Sequence, residues 1–237
     1  MRQLLLNKQL VPREFNKVAR RYDFATYLSQ GYQEDLDHSA TLMGLSGSEQ
    51  VLDLCCGTGK STLACLQVLP HGTVTGVDNS AGMLEVADSK LQPEVAEGRV
   101  TLHLGDAMEL DFPDASFDAV FMAYGLRNMP DYGRALEGIS RVLRPGGVLC
   151  IHDYSLAPGW WARLYWAVLG YGFIVPFCTL LSGSADIYLY LIRSVLTFPS
   201  PQSIEQLCTQ HGFTQATTHH HRSWRRPILH TIIARKG

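Results

Sequence analysis

The amino-acid sequence predicts an α/β fold: a parallel sheet with helices on both faces, a helical cap before it and a helical insertion before its last strands. Three observations lead there. Between residues 50 and 154 short apolar β-like runs alternate with helix-like segments, the pattern that right-handed βαβ crossovers produce. The first three of these runs each finish in or near an aspartate. Hydrophobic residues make up 46% of the 237 and charged ones 18%, enough apolar matter for a full core and too much for a disordered chain.

The elements follow in order. QVLDL (50–54) reads as the first strand; it ends in a glycine-containing turn and feeds a helix from about Gly59 to Val68. TVTGVD (73–78) is the second, followed by Ser80 as N-cap of a helix through AGMLEVADSKL. RVTLHLGD (99–106), FDAVFMAY (117–124) and VLCIHDY (148–154) are further strands, and between the last two Asp131 to Leu143 reads as a helix that Pro145-Gly146-Gly147 stops. After Tyr154 come helical segments, the apolar stretch WWARLYWAVLGYGFIVPFCTLL (160–181), then ADIYLYLIRSVL and SIEQLCTQHGF, and two terminal strands near 213–222 and 226–235. The first thirty or so residues, with EFNKVARRYDFATYLSQGY, read as helical. The expected organisation is a cap over 1–45, a core over 46–156, an apolar lid over 157–212 and terminal strands over 213–237. Cap and lid are both expected over the carboxyl ends of the strands, where open α/β sheets bind ligands.

A net charge of −2 argues against a nucleic-acid partner, which demands a basic face. Six cysteines without a CxxC pair read as reduced intracellular thiols. The apolar run near the N-terminus, three leucines, is too short for a signal-peptide core, so a cytoplasmic location is expected. No metal is expected: Cys55 and Cys56 have no second pair, and His219-His220-His221 alternate in direction along a strand, so they read as a solvated strand. Trp224-Arg225-Arg226 reads as a rim of surface charge.

Asp53-Leu54-Cys55-Cys56-Gly57-Thr58-Gly59 stands where the first strand turns into its helix, and Gly57 and Gly59 are expected to let backbone approach a ligand. Gly59-Lys60-Ser61 fits the end of a P-loop, but Leu54 occupies the position of its first glycine. A nicotinamide fingerprint fails because Thr62 replaces its third glycine. What remains is the D-x-x-x-G-x-G loop of S-adenosylmethionine enzymes. Asp78, about 20 residues on, is placed to accept both hydroxyls of a ribose. Asp106, in Gly105-Asp106-Ala107, is placed where an adenine edge is read. The bland alternative is three ordinary turn or capping aspartates.

With these residues in view, the chain resembles the UbiE-type C-methyltransferases of ubiquinone and menaquinone biosynthesis, within the class I methyltransferases. The matching pieces are FNKVARRYD (15–23), VLDLCCGTG (51–59), GDAMELDFPDASFD (105–118), YGLRNMPD (124–131) and ALEGISRVLRPGG (135–147), of which the YGLRN block is the most specific. The resemblance implies a Rossmann-like sheet of seven strands with the last reversed, and methyl transfer to a ring carbon of a lipophilic, prenylated quinol. Two departures fall where the acceptor binds: an insertion richer in aromatic residues and a C-terminus, SWRRPILHTIIARKG, without an aromatic-rich tail. Other apolar acceptors (a sterol, a polyketide) and a non-catalytic scaffold that binds cofactor or lipid stay open.

On this reading the expected contacts to S-adenosylmethionine are Tyr22, Asp53, Gly57, Gly59, Asp78, Asn79, Met83, Asp106, Ala107 and Tyr124. Holding donor and acceptor in line supplies roughly 7–11 kcal/mol, against about 3–5 kcal/mol from a general base, so positioning dominates. The phenol hydroxyl still needs polarising. Arg127 is the candidate for facing the phenolate, with pairing to Asp131 as the alternative, and Asn128 for orienting Arg127 or the ring. Asp153 and Tyr154 complete the catalytic candidates; along a strand Asp153 points opposite to His152 and Tyr154, so one set at most lines the site. The apolar stretch passes by length for a membrane span, but a single crossing would strand the last strands across the bilayer. It is expected as a buried lid, a homodimer interface, or a lid whose outer face, with Trp160, Trp161, Tyr165 and Trp166, dips into the lipid interface; Gly170, Gly172 and Pro176 suggest a broken helix.

Overall fold

The computed structural model describes Lys8 and residues 31–182, 185–221 and 223–237. The expected N-terminal helix and Tyr22 lie outside the described residues. Helix α1 (Tyr32–Leu42) precedes β1 (Gln50–Leu54), α2 (Lys60–Gln67), β2 (Thr73–Asp78), α3 (Ala81–Lys90), α4 (Gln92–Ala96) and β3 (Val100–Leu104). Then come β4 (Phe117–Ala123), a 3₁₀ turn at Leu126–Asn128, α5 (Tyr132–Val142) and β5 (Leu143–Tyr154). Helices α6 (Trp160–Leu169), α7 (Val175–Ser182), α8 (Asp186–Thr197) and α9 (Pro201–Gln210) lead to β6 (Phe213–His220) and β7 (Leu229–Lys236). The seven strands run in the order β3-β2-β1-β4-β5-β7-β6. The first five are parallel, and β7 is antiparallel to both β5 and β6, the reversed strand that the sequence resemblance implies.

Strict alternation along the central strands divides the core into two layers. Leu52, Leu54, Val120, Met122, Leu149 and Ile151 pack on one face against Leu136 and Ile139 of α5 and Ile204 and Cys208 of α9. Val51, Ala119, Phe121, Val148 and Cys150 point the other way, against Leu36 and Ala40 of α1 and Ala64 and Cys65 of α2. Helix starts follow local chemistry: the Ser80 side chain accepts from the Met83 N–H, and that of Asp131 from the Arg134 N–H, so Asp131 is a cap and not a partner of Arg127.

Three expectations shift. Pro145-Gly146-Gly147 ends α5 but lies within β5, as a register shift between Phe117↔Leu143 and Ala119↔Val148, because the chain resumes strand pairing on both sides of it. Helix α9 sits in the main core layer and not in the lid. The apolar stretch is not broken at its glycines: a π-helical turn, Gly170–Ile174, carries α6 into α7 without interruption. Gly170 is required there by packing, since a Cβ would stand 2.5 Å from Cδ1 of Ile192 on α8.

Candidate active site

The carboxyl ends of β1, β2 and β4, with the loop after β3 and the turn after β4, surround a cavity of 460 Å³, within the range that small-molecule sites occupy. Its floor is the loop after β1. Cys55 and Gly57 both hold positive φ, 60° and 55°, and Cys55, Gly57 and Thr58 line the cavity. A Cβ on Gly125 would meet Cys55 Sγ at 2.8 Å, so the loops after β1 and β4 approach only because Gly125 has none.

Two predicted members of the loop act beneath the cavity and not in it. Asp53 is fully buried; its Oδ2 accepts from Ser61 Oγ and Thr62 Oγ1, both at 2.7 Å, and it tethers the start of α2 to β1. Burial pushes its carboxyl up to about 7, against the pull of those two hydroxyls. Gly59 is the left-handed N-cap of α2 at φ 84°, and a Cβ there would press on Leu91 and Ala87. Its need for glycine comes from helix packing, where the sequence pattern pointed to ligand approach.

Asp78, at the end of β2, does face the cavity. Its Oδ2 accepts from Gly57 N–H at 2.9 Å and its Oδ1 from Ser80 N–H at 2.9 Å, which aims the carboxylate while leaving lone pairs on both oxygens for further donors. Burial raises its pKa, opposed by those N–H donors, so added donors from a diol suit it well. Asn79, Met83, Asp106 and Ala107 line the same cavity. Asp106 lies beyond the end of β3 and not within the strand, its Oδ1 accepting from Met108 N–H at 2.9 Å. A carboxylate for a ribose, an apolar wall from Val77, Met83 and Met108, and open backbone at Gly57 fit S-adenosylmethionine. When bound, that group supplies an electrophilic methyl on a sulfonium.

The opposite wall differs from expectation. Asn128 lines the cavity, but the Arg127 side chain does not. Arg127 is 5% exposed and committed: Nε to Asp153 Oδ1 at 3.2 Å, Nη1 to Ser194 Oγ at 2.7 Å and to Asn128 Oδ1 at 3.2 Å. Strand alternation turns Asp153 to this buried face, and its pKa is raised by burial and pulled down by Arg127. Both residues therefore act behind the wall, not at a phenolate. Asn128 is held from three sides, its Nδ2 donating to the Tyr124 carbonyl at 3.0 Å and its Oδ1 accepting from Tyr190 as well as Arg127. Tyr154 does not reach the cavity; its ring lies between Tyr124 (5.3 Å) and Trp166 (5.3 Å).

Tyr124 is in the cavity wall, with φ 56°, an unusual and costly conformation for a bulky residue. Its ring stacks on Tyr32 of α1 at 5.1 Å. Tyr32 and Lys8 also line the cavity and were not legible in the sequence. Lys8 Nζ donates to the carbonyls of Arg127 (2.9 Å) and Met129 (2.8 Å), and burial lowers its pKa to about 8; no periodicity or motif marks it. His221, expected on a solvated strand, is buried just past β6, and Arg225, expected at the surface, is 7% exposed and paired with Asp35 Oδ2 at 2.8 Å.

A seven-stranded sheet of this order, with a nucleoside-sized cavity across β1, β2 and β4, defines a class I S-adenosylmethionine-dependent methyltransferase. Solved structures agree on the fold. A putative methyltransferase from Haloferax volcanii, in complex with the Trm112 methyltransferase activator, superposes with a TM-score of 0.72 at 17% identity, over 94% of this chain and 98% of that one. Phosphoethanolamine N-methyltransferase 2 of Haemonchus contortus, in complex with S-adenosyl-L-methionine, gives 0.63 at 20% identity, over 86% of this chain and 52% of that one. The sequence model of the ubiE/COQ5 methyltransferase family matches residues 3–230, and the chain belongs to that family. Among its relatives is a demethylmenaquinone methyltransferase of Staphylococcus aureus, 36% identical over 212 residues, which are 87% of this chain and 86% of the relative.

Proposed function

We propose that this enzyme methylates a ring carbon of a demethylated, prenylated naphthoquinol at the cytoplasmic membrane surface. The similarity to demethylmenaquinone methyltransferase across nearly the whole chain carries this reading. Within the cavity, Asp78 binds the cofactor's sugar and Asn128, fixed by Arg127 and Tyr190, orients the acceptor ring. Arg127 and Asp153 are positioning residues. The lid supports the choice of a lipophilic acceptor. Trp160–Leu180 is a helical run of 21 residues, apolar enough by length and composition to cross a membrane, yet little of it is buried in the fold. Trp160, Trp161, Val168, Phe173, Phe177 and Leu180 are all more than half exposed, a concentration of large apolar side chains along one helical run that marks an interaction site. The sheet is completed by β7 and β6 after this run, so one crossing cannot accommodate the fold; a face lying in the headgroup layer, where a prenyl tail is anchored, can.

The test is methyl transfer from labelled S-adenosylmethionine to reduced demethylmenaquinone and, in parallel, to a demethylated benzoquinol with the same tail, both in liposomes. Label on a ring carbon of the naphthoquinol supports the proposal. Transfer to the benzoquinol alone moves the acceptor to the ubiquinone side, and transfer to neither overturns it.

A further inference from the structure

Behind Tyr124 lies a chain of buried hydrogen bonds that the cofactor site does not use. The Tyr124 hydroxyl is 2.9 Å from His152 Nε2. His152 Nδ1 is 3.0 Å from Thr231 Oγ1, Thr231 Oγ1 is 2.8 Å from His221 Nε2, and His221 Nδ1 is 3.0 Å from Asp35 Oδ1. His152 and Thr231 are wholly buried and His221 is 3% exposed, whereas the Asp35 side chain reaches 14%. The chain thus runs from the cavity wall through β5 and β7 to the rim of α1.

Its polarity is set at one end. Arg225 Nη1 donates to Asp35 Oδ2, and the carboxylate paired with that cation accepts, so His221 Nδ1 carries hydrogen and, in the neutral imidazole, its Nε2 accepts. Thr231 then donates to His221 and must accept from His152 Nδ1–H. The remaining nitrogen, His152 Nε2, has only a lone pair for Tyr124, which must donate. Ser39 Oγ, 2.9 Å from His152 Nδ1, does not reverse this: it lies 2.7 Å from Thr231 Oγ1, whose own hydrogen goes to His221, so the Ser39 hydrogen is turned to Thr231 and the nearby Asp35 carbonyl (2.8 Å) and His152 Nδ1 is left to donate. Every hydrogen bond points the same way, from the cavity outward.

The geometry points to a proton relay, Tyr124–His152–Thr231–His221–Asp35, that takes the hydroxyl proton of the acceptor as its ring carbon attacks the methyl group. This rests on the quinol reading above. As the phenol O–H proton passes to Tyr124 oxygen, each hydrogen moves one bond outward and settles on the His221–Asp35 pair. The oxygen's electrons shift into the ring, the ring carbon forms the new C–C bond, and the C–S pair stays on sulfur. The ring carbon then bears both hydrogen and methyl; its hydrogen leaves as a proton to the ring carbonyl oxygen, which restores the hydroxyl, so one proton in all has left the acceptor. His152 exchanges one neutral tautomer for the other and never needs to be an imidazolium. That agrees with its pKa, driven well below the ordinary imidazole value by burial and then by the groups that face it, His221, Arg225, His38 and His230.

Nitrogen-15 NMR of histidine-labelled protein reads the polarity directly: the Nδ1–H tautomer of His152 is expected, and the Nε2–H tautomer overturns the relay. Tyr124→Phe keeps the stacked ring. It should lower kcat at neutral pH by roughly 10²-fold, with the affinity for S-adenosylmethionine little changed by calorimetry, and the remaining rate should climb about tenfold per pH unit as the quinol ionises unaided. His221→Asn should show the same pH slope. An unchanged kcat, or a loss independent of pH in either variant with the melting temperature preserved, overturns the relay. Failure of the wild-type enzyme to methylate any quinol overturns the functional reading instead, and leaves the tautomer measurement to decide the relay.

Discussion

Asp53 shows how a residue that looks like a ligand contact can be structural. Its carboxyl, with an ordinary value of 3.8, is held near 7 by burial in the folded chain. Between about pH 4 and 7 the folded protein keeps a proton that the unfolded chain loses, so this group's contribution to stability falls as pH rises, by at most about 1.4 kcal/mol per pH unit. Asp53→Asn should flatten that part of the stability–pH curve in urea unfolding; a curve as steep as the wild type's contradicts the assignment. Arg127→Ala leaves the Asp153 carboxylate buried without its cation, and a loss of about 3–5 kcal/mol in unfolding free energy is expected. Calorimetry should find cofactor affinity nearly intact, because Arg127 is outside the cavity wall. Residue types and strand position made Asp78, Asn128 and Tyr124 legible as site members. They could not separate Asp53 from Asp78, since both follow the same strand-then-loop pattern and lie on the same face of the sheet; only register, which pairs Asp53 with Gly76, puts Asp78 two residues nearer the carboxyl edge.

At the scale of elements, periodicity found each of the seven strands among the described residues but missed the first residues of β5, which begins at Leu143; the central strands are the plainest, because strands buried on both faces are continuous apolar runs. Periodicity failed at α6 and α7. Glycine and proline promise a break there, yet a π-helical turn absorbs the irregularity and lays Gly170 against Ile192. Gly170→Val should push α8 away from the lid and cost about 1–3 kcal/mol, read as a lower denaturation midpoint. An unchanged midpoint would mean that the two helices are not coupled through this contact. No local signal announces such a fit, because the atom that demands a glycine lies on a helix more than twenty residues away.

Over the whole molecule, the cavity at the strand ends is lined by residues up to Arg134, while α6 and α7 expose large apolar side chains such as Trp160, Trp161, Phe173, Phe177 and Leu180. Replacing Trp160 and Trp161 by Ser should abolish flotation with anionic liposomes and raise KM for a long-tailed quinol while sparing a short-tailed one. Wild-type protein that never floats with lipid would assign these side chains to another copy of the chain, which sedimentation would then show as a dimer. The sequence by itself determined the α/β class, the glycine loop with its acidic companions and the membership of a methyltransferase family, because these depend on short-range patterns: a period of two, an aspartate at a strand's end, a run of seven residues in a turn. The tertiary structure alone decided which carboxylates face the cavity, that Arg127 turns away from it, and that histidines from β5 and the end of β6 join a threonine of β7 and an aspartate of α1. Those relations join positions up to nearly two hundred residues apart, and only sheet register and helix packing bring such atoms within a hydrogen bond's length.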